Sequence, residues 1–304
     1  MPGHGLHIEL ARTLLRDSDE WAAPAWRHDP EAVSALYNGA IGPDMGYFPG
    51  ADSLLSGLAH YVRTVAMVRT LRAQASTDVE EAFALGWLTH VLADAEVHPI
   101  VNRAAGEIDF GSLDRPSTAA DSLVTHVRVE VGLDGIRLAR NQDVRQIRLV
   151  PAFDAQRIGF LHEAYRDTYG LAFDRAKLLK SHRAVARYQG VVFRFTTRIG
   201  QRHLGEPAAG AWLLVYKPVR RLSGLFARNS LAFGVTHTIA PASWVEDDVA
   251  KVVRSFPALV GAQVDTGLSQ LPDINLDTGS LEDPADPYRL AVVARTDLNR
   301  RQQG

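Results

Sequence analysis

Gly86–Pro99 reads GWLTHVLADAEVHP, and three of its side chains, His90, Asp94 and His98, follow one another at intervals of four. Residues four apart on an α-helix project from one face, with Cβ atoms about 5–6 Å apart. A His-x-x-x-Asp pair can therefore close on one cation without distorting the backbone. Trp87, Leu88, Val91, Leu92 and Val97 surround this pair, so the stretch reads as a helix buried all round. A charged aspartate there is costly unless something compensates it, and a metal ion would. Further along, residues 122–134, SLVTHVRVEVGLD, repeat the device with His126 and Glu130 among Val127, Val129, Val131 and Leu133. Two such helices packed together place imidazoles and carboxylates round a shared pocket, as helical bundles do when they hold metals.

Working outward, helical periodicity dominates. His7–Leu15 carries an amphipathic stripe, Ala22–Pro30 reads as loop, and a short helix is expected near Glu31–Tyr37. The glycines and prolines of NGAIGPDMGYFPG, residues 38–50, predict a loop. One long helix is expected from Asp52 to Gln74, with Ser53 as a candidate N-cap. Ser76-Thr77-Asp78 announces the next helix, from about Val79 to His98, with Pro99 marking a kink or an end. Gly106–Pro116 reads as loop, and Ser117-Thr118 opens a helix to about Arg140. Two more helices are expected between Pro151 and Gly205, a pair of short ones in WLLVYKPVRRLSGLFARNSLAFG, and one over Val245–Val260. The tail after Gln270 reads as irregular. No period-2 strands and no internal repeat stand out, so the fold class is all-α. The expected division is a helical domain over 1–205 and a helical or irregular C-terminal extension over 206–304, packed on the first.

The chain of 304 residues is long enough for a sizeable core. Its net charge of −2 gives no global reason to expect a nucleic-acid partner. There is no cysteine, so a metal site must use His, Asp and Glu, the nitrogen and oxygen ligands that suit zinc. The start, MPGHGLHIELARTLLRDSDEW, lacks the basic lead and unbroken apolar run of a secretory signal. No stretch approaches the roughly 20 apolar residues of a membrane span. The expectation is a cytoplasmic protein without a transmembrane segment. The basic-apolar stretch Lys217–Arg228 either meets anionic lipid headgroups as a peripheral contact or is a buried helix with an exposed arginine edge. His28-Asp29 is followed by Pro30 outside a helical context, which argues against a phosphohydrolase of the HD type. His162 and His182 lie beside charged residues and read as solvated.

Further blocks join the first two: HIELARTLL with His7 leading, GAIGPDMGY with Asp44 after proline, and His60 on the next helix. With FALGWLTHVLADAEVHP and THVRVE, this order over about the first 140 residues resembles the zinc-dependent phospholipase C family. That family includes enzymes that cleave glycosylphosphatidylinositol anchors and is related to the S1/P1-type single-strand nucleases. The resemblance implies a multi-helix bundle of the phospholipase C/P1 nuclease type and two or three Zn²⁺ ions. It implies that Asp44, His60, His90 and Asp94 hold one zinc, and that His98, His126 and Glu130 hold a second. His7 would hold a third, with Asp94 bridging to it. The secreted relatives complete that third site with the amine of an N-terminal tryptophan, which this chain lacks. Either the Pro2 amine or His4 takes its place, or the third ion is weak or missing.

The implied reaction is hydrolysis of a phosphodiester, in which paired Zn²⁺ ions about 3.5–4 Å apart neutralise the anion and lower the pKa of a bound water toward ~7. Asp44 would serve as ligand and general base, with Tyr47 and Phe48 lining the site. A phospholipid is the expected substrate. The alternatives are single-stranded nucleic acid, disfavoured by the near-neutral charge and the lack of an aromatic-basic strip, and a non-catalytic helical protein with a structural zinc. Structural zinc sites are closed by four protein ligands, and seven or eight ligands for two or three ions leave open positions.

Overall fold

In the computed structural model, residues 3–17, 21, 24–206, 218, 220–221 and 231–303 are described. They form an all-α fold. The helices are α1 (His4–Arg16), α2 (Pro30–Ala40), α3 (Ser53–Tyr61), α4 (Thr64–Gln74), α5 (Asp78–Phe110), α6 (Ala119–Arg140), α7 (Gln142–Gln146), α8 (Gly159–Tyr169), α9 (Arg175–His203), α10 (Leu231–Thr236), α11 (Ser243–Asp265) and α12 (Pro287–Gln303). Short 3-10 helices span Ala25–His28 and Gly42–Tyr47, and β1 (Ile274–Asn275) pairs antiparallel with β2 (Ser280–Leu281). Among the described residues, no helix is long and apolar enough to cross a membrane. Most of the stretch from Trp212 to Gly234, expected as two short helices, lies outside the described residues, as do most of Lys217–Arg228 and Pro2.

The chain divides into two compact units, one of Met1–Leu6, Val97–Ile147 and Val191–Val252, the other of His7–Glu96, Arg148–Gly190 and Val253–Gly304. In the second unit, α2 and α5 meet backbone to backbone. A Cβ on Gly39 would stand 2.1 Å from the Phe83 carbonyl oxygen, and one on Gly86 would stand 2.0 Å from that of Leu36. Only glycine permits this approach, and it lays the last turn of α2 against the middle of α5. Phe83, Trp87 and Leu88 of α5 are fully buried there. In the first unit the same device recurs on α6, where a Cβ on Gly132 would fall 1.9 Å from the Ile239 oxygen and one on Gly135 2.9 Å from the backbone of Thr196 and Gly200. Asp109 ties the end of α5 to the start of α6, accepting from Ser117 Oγ at 2.6 Å and Thr125 Oγ1 at 2.7 Å. Thr118 and Asp121 form a capping box on α6.

Several boundaries depart from the sequence reading, each for a tertiary reason. The helix expected over Asp52–Gln74 breaks at Val62–Arg63, where Arg63 is left-handed at φ 51°. The C-terminal segment holds the break open: Asp273 Oδ1 accepts from Val65 N at 2.8 Å and Ala66 N at 2.9 Å, and Thr64 Oγ1 donates to the Ile274 oxygen at 2.8 Å. Asp52, not Ser53, caps α3, by accepting from Leu54 N. α5 runs through Pro99 to Phe110. A helix-interior proline costs about 3 kcal/mol, which the burial of Val97, Ile100, Val101, Ala104 and Ala105 around it offsets. Gly106, expected in a loop, lies inside α5, with the Arg115 carbonyl oxygen 2.0 Å from where a Cβ would be. The 38–50 loop is largely helical, ending α2 and forming the second 3-10 helix. The tail after Gln270 is ordered as the β1–β2 hairpin and α12. The β-branched end of α9 stays helical to His203. His182 is not solvated: it is 1% exposed and its Nε2 accepts from Phe153 N at 3.1 Å.

Candidate metal centre

His7, Asp44, His60, His90 and Asp94 converge within the second unit, from α1, the second 3-10 helix, α3 and α5, and all five are 5% exposed or less. His90 Nε2 stands 3.1 Å from Asp94 Oδ2, one helical turn away. His7 Nε2 stands 3.2 Å from Asp94 Oδ1, and His60 Nε2 stands 3.3 Å from Asp44 Oδ1 and 3.9 Å from Asp94 Oδ2. The His7 and His90 rings stack at 4.0 Å, nearly parallel, while the His60 ring meets His90 edge-on at 5.5 Å. Ligand atoms of His7, Asp44 and His90 lie within 4.8 Å of one another, as do those of His60, His90 and Asp94. Asp94 thus touches three imidazoles, one from each of three helices.

The other side of each ring explains its orientation. His90 Nδ1 lies 2.9 Å from the Ala40 carbonyl oxygen, in the last turn of α2, where helix carbonyls lack intrahelical partners. The Gly39–Gly86 approach sets that distance. His60 Nδ1 lies 2.8 Å from the Ser56 oxygen, one turn back on α3. A carbonyl only accepts, so each Nδ1 carries the proton and each Nε2 turns its lone pair inward. Metal-binding histidines are commonly fixed by such an outer hydrogen bond. The Nε2 atoms of His60 and His90 are buried and make no hydrogen bond of acceptable geometry. Inward lone pairs beside buried carboxylates are what a divalent cation requires, so these residues fit zinc. Burial and the neighbouring His7 hold His90 below the usual imidazole pKa; burial would lower His60 too, but the adjacent Asp44 and Asp94 carboxylates leave it raised.

Asp44 is held by its surroundings in the 3-10 helix. Gly46 N donates to Ser56 Oγ at 2.8 Å, and a Cβ on Gly42 would stand 2.6 Å from the Trp87 ring. Tyr47, three residues on, sits 5.4 Å from the His60 ring, and its phenol is pushed well up by burial and by Asp277, Asp44 and Asp94. Phe48 is buried and faces Tyr188 at 6.5 Å rather than a ligand ring.

In the first unit, His98, His126 and Glu130 form a separate group with ligand atoms within 4.8 Å of one another. Glu130 Oε1 stands 3.1 Å from His98 Nε2, and its Oε2 stands 3.8 Å from His126 Nε2. His126 Nδ1 meets Asn102 Oδ1 at 3.0 Å, the same outer anchoring as at His60 and His90. Burial would raise the Glu130 carboxyl, yet surrounding positive charge and the His98 bond hold it down at about 2.

Two residues of this unit escaped the sequence reading. Asn102 lies four residues beyond His98, and Asp134 four beyond Glu130, so each continues a ligand series by one turn. Asp134 accepts from Leu6 N at 2.8 Å and from Gly5 N, capping α1 from another helix. Burial pushes its carboxyl up to about 6 against those bonds and the nearby His4. A Cβ on Gly3 or Gly5 would come within 2.8 Å of Asp134 or closer still to Leu138, which explains the glycine-rich lead into α1. In the second unit Asp277 also escaped it, on the turn after β1: Tyr61 Oη donates to it, and Tyr61 stacks on Tyr288 at 5.5 Å. Nothing in local sequence marks it.

A helical fold with two sets of buried imidazoles and carboxylates is suited to hold divalent metal ions. The comparison with known families makes this specific: the zinc-dependent phospholipase C profile matches residues 6–191, more than half of the chain, and the protein belongs to that family. The match spans every ligand expected from the sequence. No curated protein and no solved structure matches the chain.

Proposed function

We propose that the protein is a phospholipase C that cleaves the phosphodiester of a phospholipid into a phosphorylated headgroup and diacylglycerol, with catalysis in residues 1–205. The observation that carries the reading is the family match over 6–191 together with the inward Nε2 atoms of His60 and His90 beside Asp44 and Asp94. We assign His7, Asp44, His60, His90 and Asp94 to one or two zinc ions and His98, His126 and Glu130 to another, two or three in all. Zinc, when bound, neutralises the phosphodiester and lowers the pKa of a coordinated water toward ~7.

The residues supply position and proton traffic. Asp94, in reach of His7, His60 and His90, is the carboxylate suited to be shared. Asp44 belongs to a 3-10 helix rather than a long helix and is the proposed acceptor of the proton from the attacking water, besides being a ligand. Tyr47, held neutral by burial and neighbouring carboxylates, can donate a hydrogen bond but not take a proton. Its proposed role is to orient a phosphate oxygen or a headgroup.

The test combines zinc analysis with side-by-side turnover of a chromogenic phosphorylcholine ester, phosphatidylinositol and single-stranded DNA. Zinc-dependent turnover of a lipid or its analogue, lost in His90→Ala and Glu130→Ala, is expected. Purified wild type without zinc, or variants that keep wild-type turnover, would overturn the reading. Turnover of DNA alone would replace it with a nuclease.

A further inference from the structure

α9 carries eight Lys and Arg residues and no Asp or Glu, in a chain whose net charge is −2. Within the second unit, Lys180, Arg183 and Arg187 recur at i, i+3 and i+7, so they share one face, and all three are exposed, as are Arg175 and Lys177. The opposite face packs inward through Leu178, Ser181, His182 and Val185. The ion pairs of this part of the chain, Arg157–Glu31, Arg166–Asp167 and Arg175–Glu163, leave the stripe out. Among the described residues no carboxylate lies within 4.0 Å of Lys180, Arg183 or Arg187, although Asp154 is near enough to feel Arg183.

The stripe borders a groove of about 490 Å³ lined by Pro49, Leu179, Lys180, Arg183, Arg187 and Tyr188 among others. Pro49 and Gly50 belong to the segment that leads on from Asp44 and Tyr47. That segment is fastened to α9: Asp52 N donates to Ser181 Oγ at 3.1 Å, and Phe48 lies against Tyr188. Cations that cover no carboxylate, interleaved with Pro49, Leu179 and a tyrosine, match a surface of anionic headgroups over an apolar layer. Single-stranded nucleic acid fits less well, because it needs a series of aromatic platforms and this groove offers Tyr188 alone.

We propose that the Lys180–Arg183–Arg187 face of α9, with the Pro49 segment, is the surface by which the protein docks on anionic lipid bilayers. Docking there brings headgroups to the segment that follows Asp44. The proposal concerns binding, so it stands whichever bond the metal centre cuts.

Flotation of the full chain in the cold with vesicles of phosphatidylcholine, with and without phosphatidylserine, tests it. Binding to the anionic vesicles only, weakened by added salt, is expected. Lys180→Gln/Arg183→Gln/Arg187→Gln should lower the partition on the order of 100-fold, about fivefold for each cation. Lys180→Arg/Arg183→Lys/Arg187→Lys should keep it, as should a control with exposed arginines replaced on other elements, Arg115→Gln/Arg166→Gln/Arg254→Gln. Circular dichroism and turnover of a soluble ester report folding and the metal centre separately. Absence of vesicle binding, equal binding to neutral vesicles, or anionic binding that survives the glutamine triple overturns the proposal. Retention of a single-stranded oligonucleotide without vesicle binding overturns it in favour of nucleic acid.

Discussion

The His98–His126–Glu130 group takes its three residues from two helices, α5 and α6, while His7, Asp44, His60, His90 and Asp94 come from four elements spread over residues 7–94. In the smaller group, the contact that matters follows from helix pairing alone, because His126 and Glu130 already share a face. In the larger one, Asp94 meets His7 and His60 only after α1, α3 and α5 have packed. The smaller group is therefore a property of a helix pair, and the larger a property of a core. Damage to packing should disable the larger group and spare the smaller, whereas damage to a ligand should disable whichever group holds it.

The largest effects belong to the ligands themselves. His90→Ala should lower zinc content by the ions of the larger group and turnover by more than about 100-fold, above the range that outer partners give. Glu130→Ala should remove a single ion from the smaller group. Metal counting by mass spectrometry checks both. If each variant loses all zinc, the two groups do not bind metal independently.

The core of the larger group carries an acid-sensitive residue with no counterpart among the smaller group's ligands. His182 packs against Phe83 of α5 and Phe153, and burial, helped by Arg183, lowers its pKa to about 4. Its Nε2 accepts a backbone hydrogen bond, which only the neutral ring can do. Between pH 6.5 and about 4 the unfolded chain binds a proton that the folded chain refuses, so stability falls as pH falls through that window. The loss is on the order of 3 kcal/mol once the pH is below the folded value. Thermal melts of wild type and His182→Gln across this range should differ in slope, with the wild type the steeper. Parallel slopes would mean that His182 is not the titrating group.

Gly86→Ala probes packing without touching a ligand. The added Cβ meets the Leu36 carbonyl 2.0 Å away, so α2 and α5 must part. Overpacking of this kind costs about 1–3 kcal/mol. Because Ala40 is on α2 and anchors His90 Nδ1, the larger group should bind zinc more weakly while the smaller keeps its ion. Zinc titration by calorimetry would see one class of site shift and the other stay.

How much of this was legible beforehand follows the same division. The helical class and the local pairs were readable because i, i+4 spacing and apolar surroundings are written within one element. All eight expected ligand positions fall into the two groups, since the motif order encodes a packing that a single helix does not. The break at Val62–Arg63 was not readable, because it is imposed by Asp273 and Ile274 some 200 residues away. The helix through Pro99 was not readable either, because local propensity opposes it and only burial of its flanks sustains it. Asp277 was invisible for the reason that the break was: its link to Tyr61 spans 216 residues.

Asn102 gives the smallest and most discriminating case. It is buried, lies one turn beyond His98 on α5, and its Oδ1 faces His126 Nδ1 at 3.0 Å. Its removal leaves all three ligands of the smaller group in place and takes away only what fixes the His126 tautomer and ring plane. Outer partners of this kind are worth about 10–100-fold in metal affinity, so Asn102→Ala should weaken one ion by that factor and leave the larger group's zinc untouched. Asn102→Asp keeps an acceptor at the same place and should restore most of the affinity. Asn102→Leu fills the same space without an acceptor and should bind as weakly as Asn102→Ala, so the contrast between aspartate and leucine separates anchoring of the ring from mere filling of space. Equal zinc affinity in wild type and Asn102→Ala would show that α5 and α6 alone hold the ring, which would make the smaller group still more local than its hydrogen bonds imply.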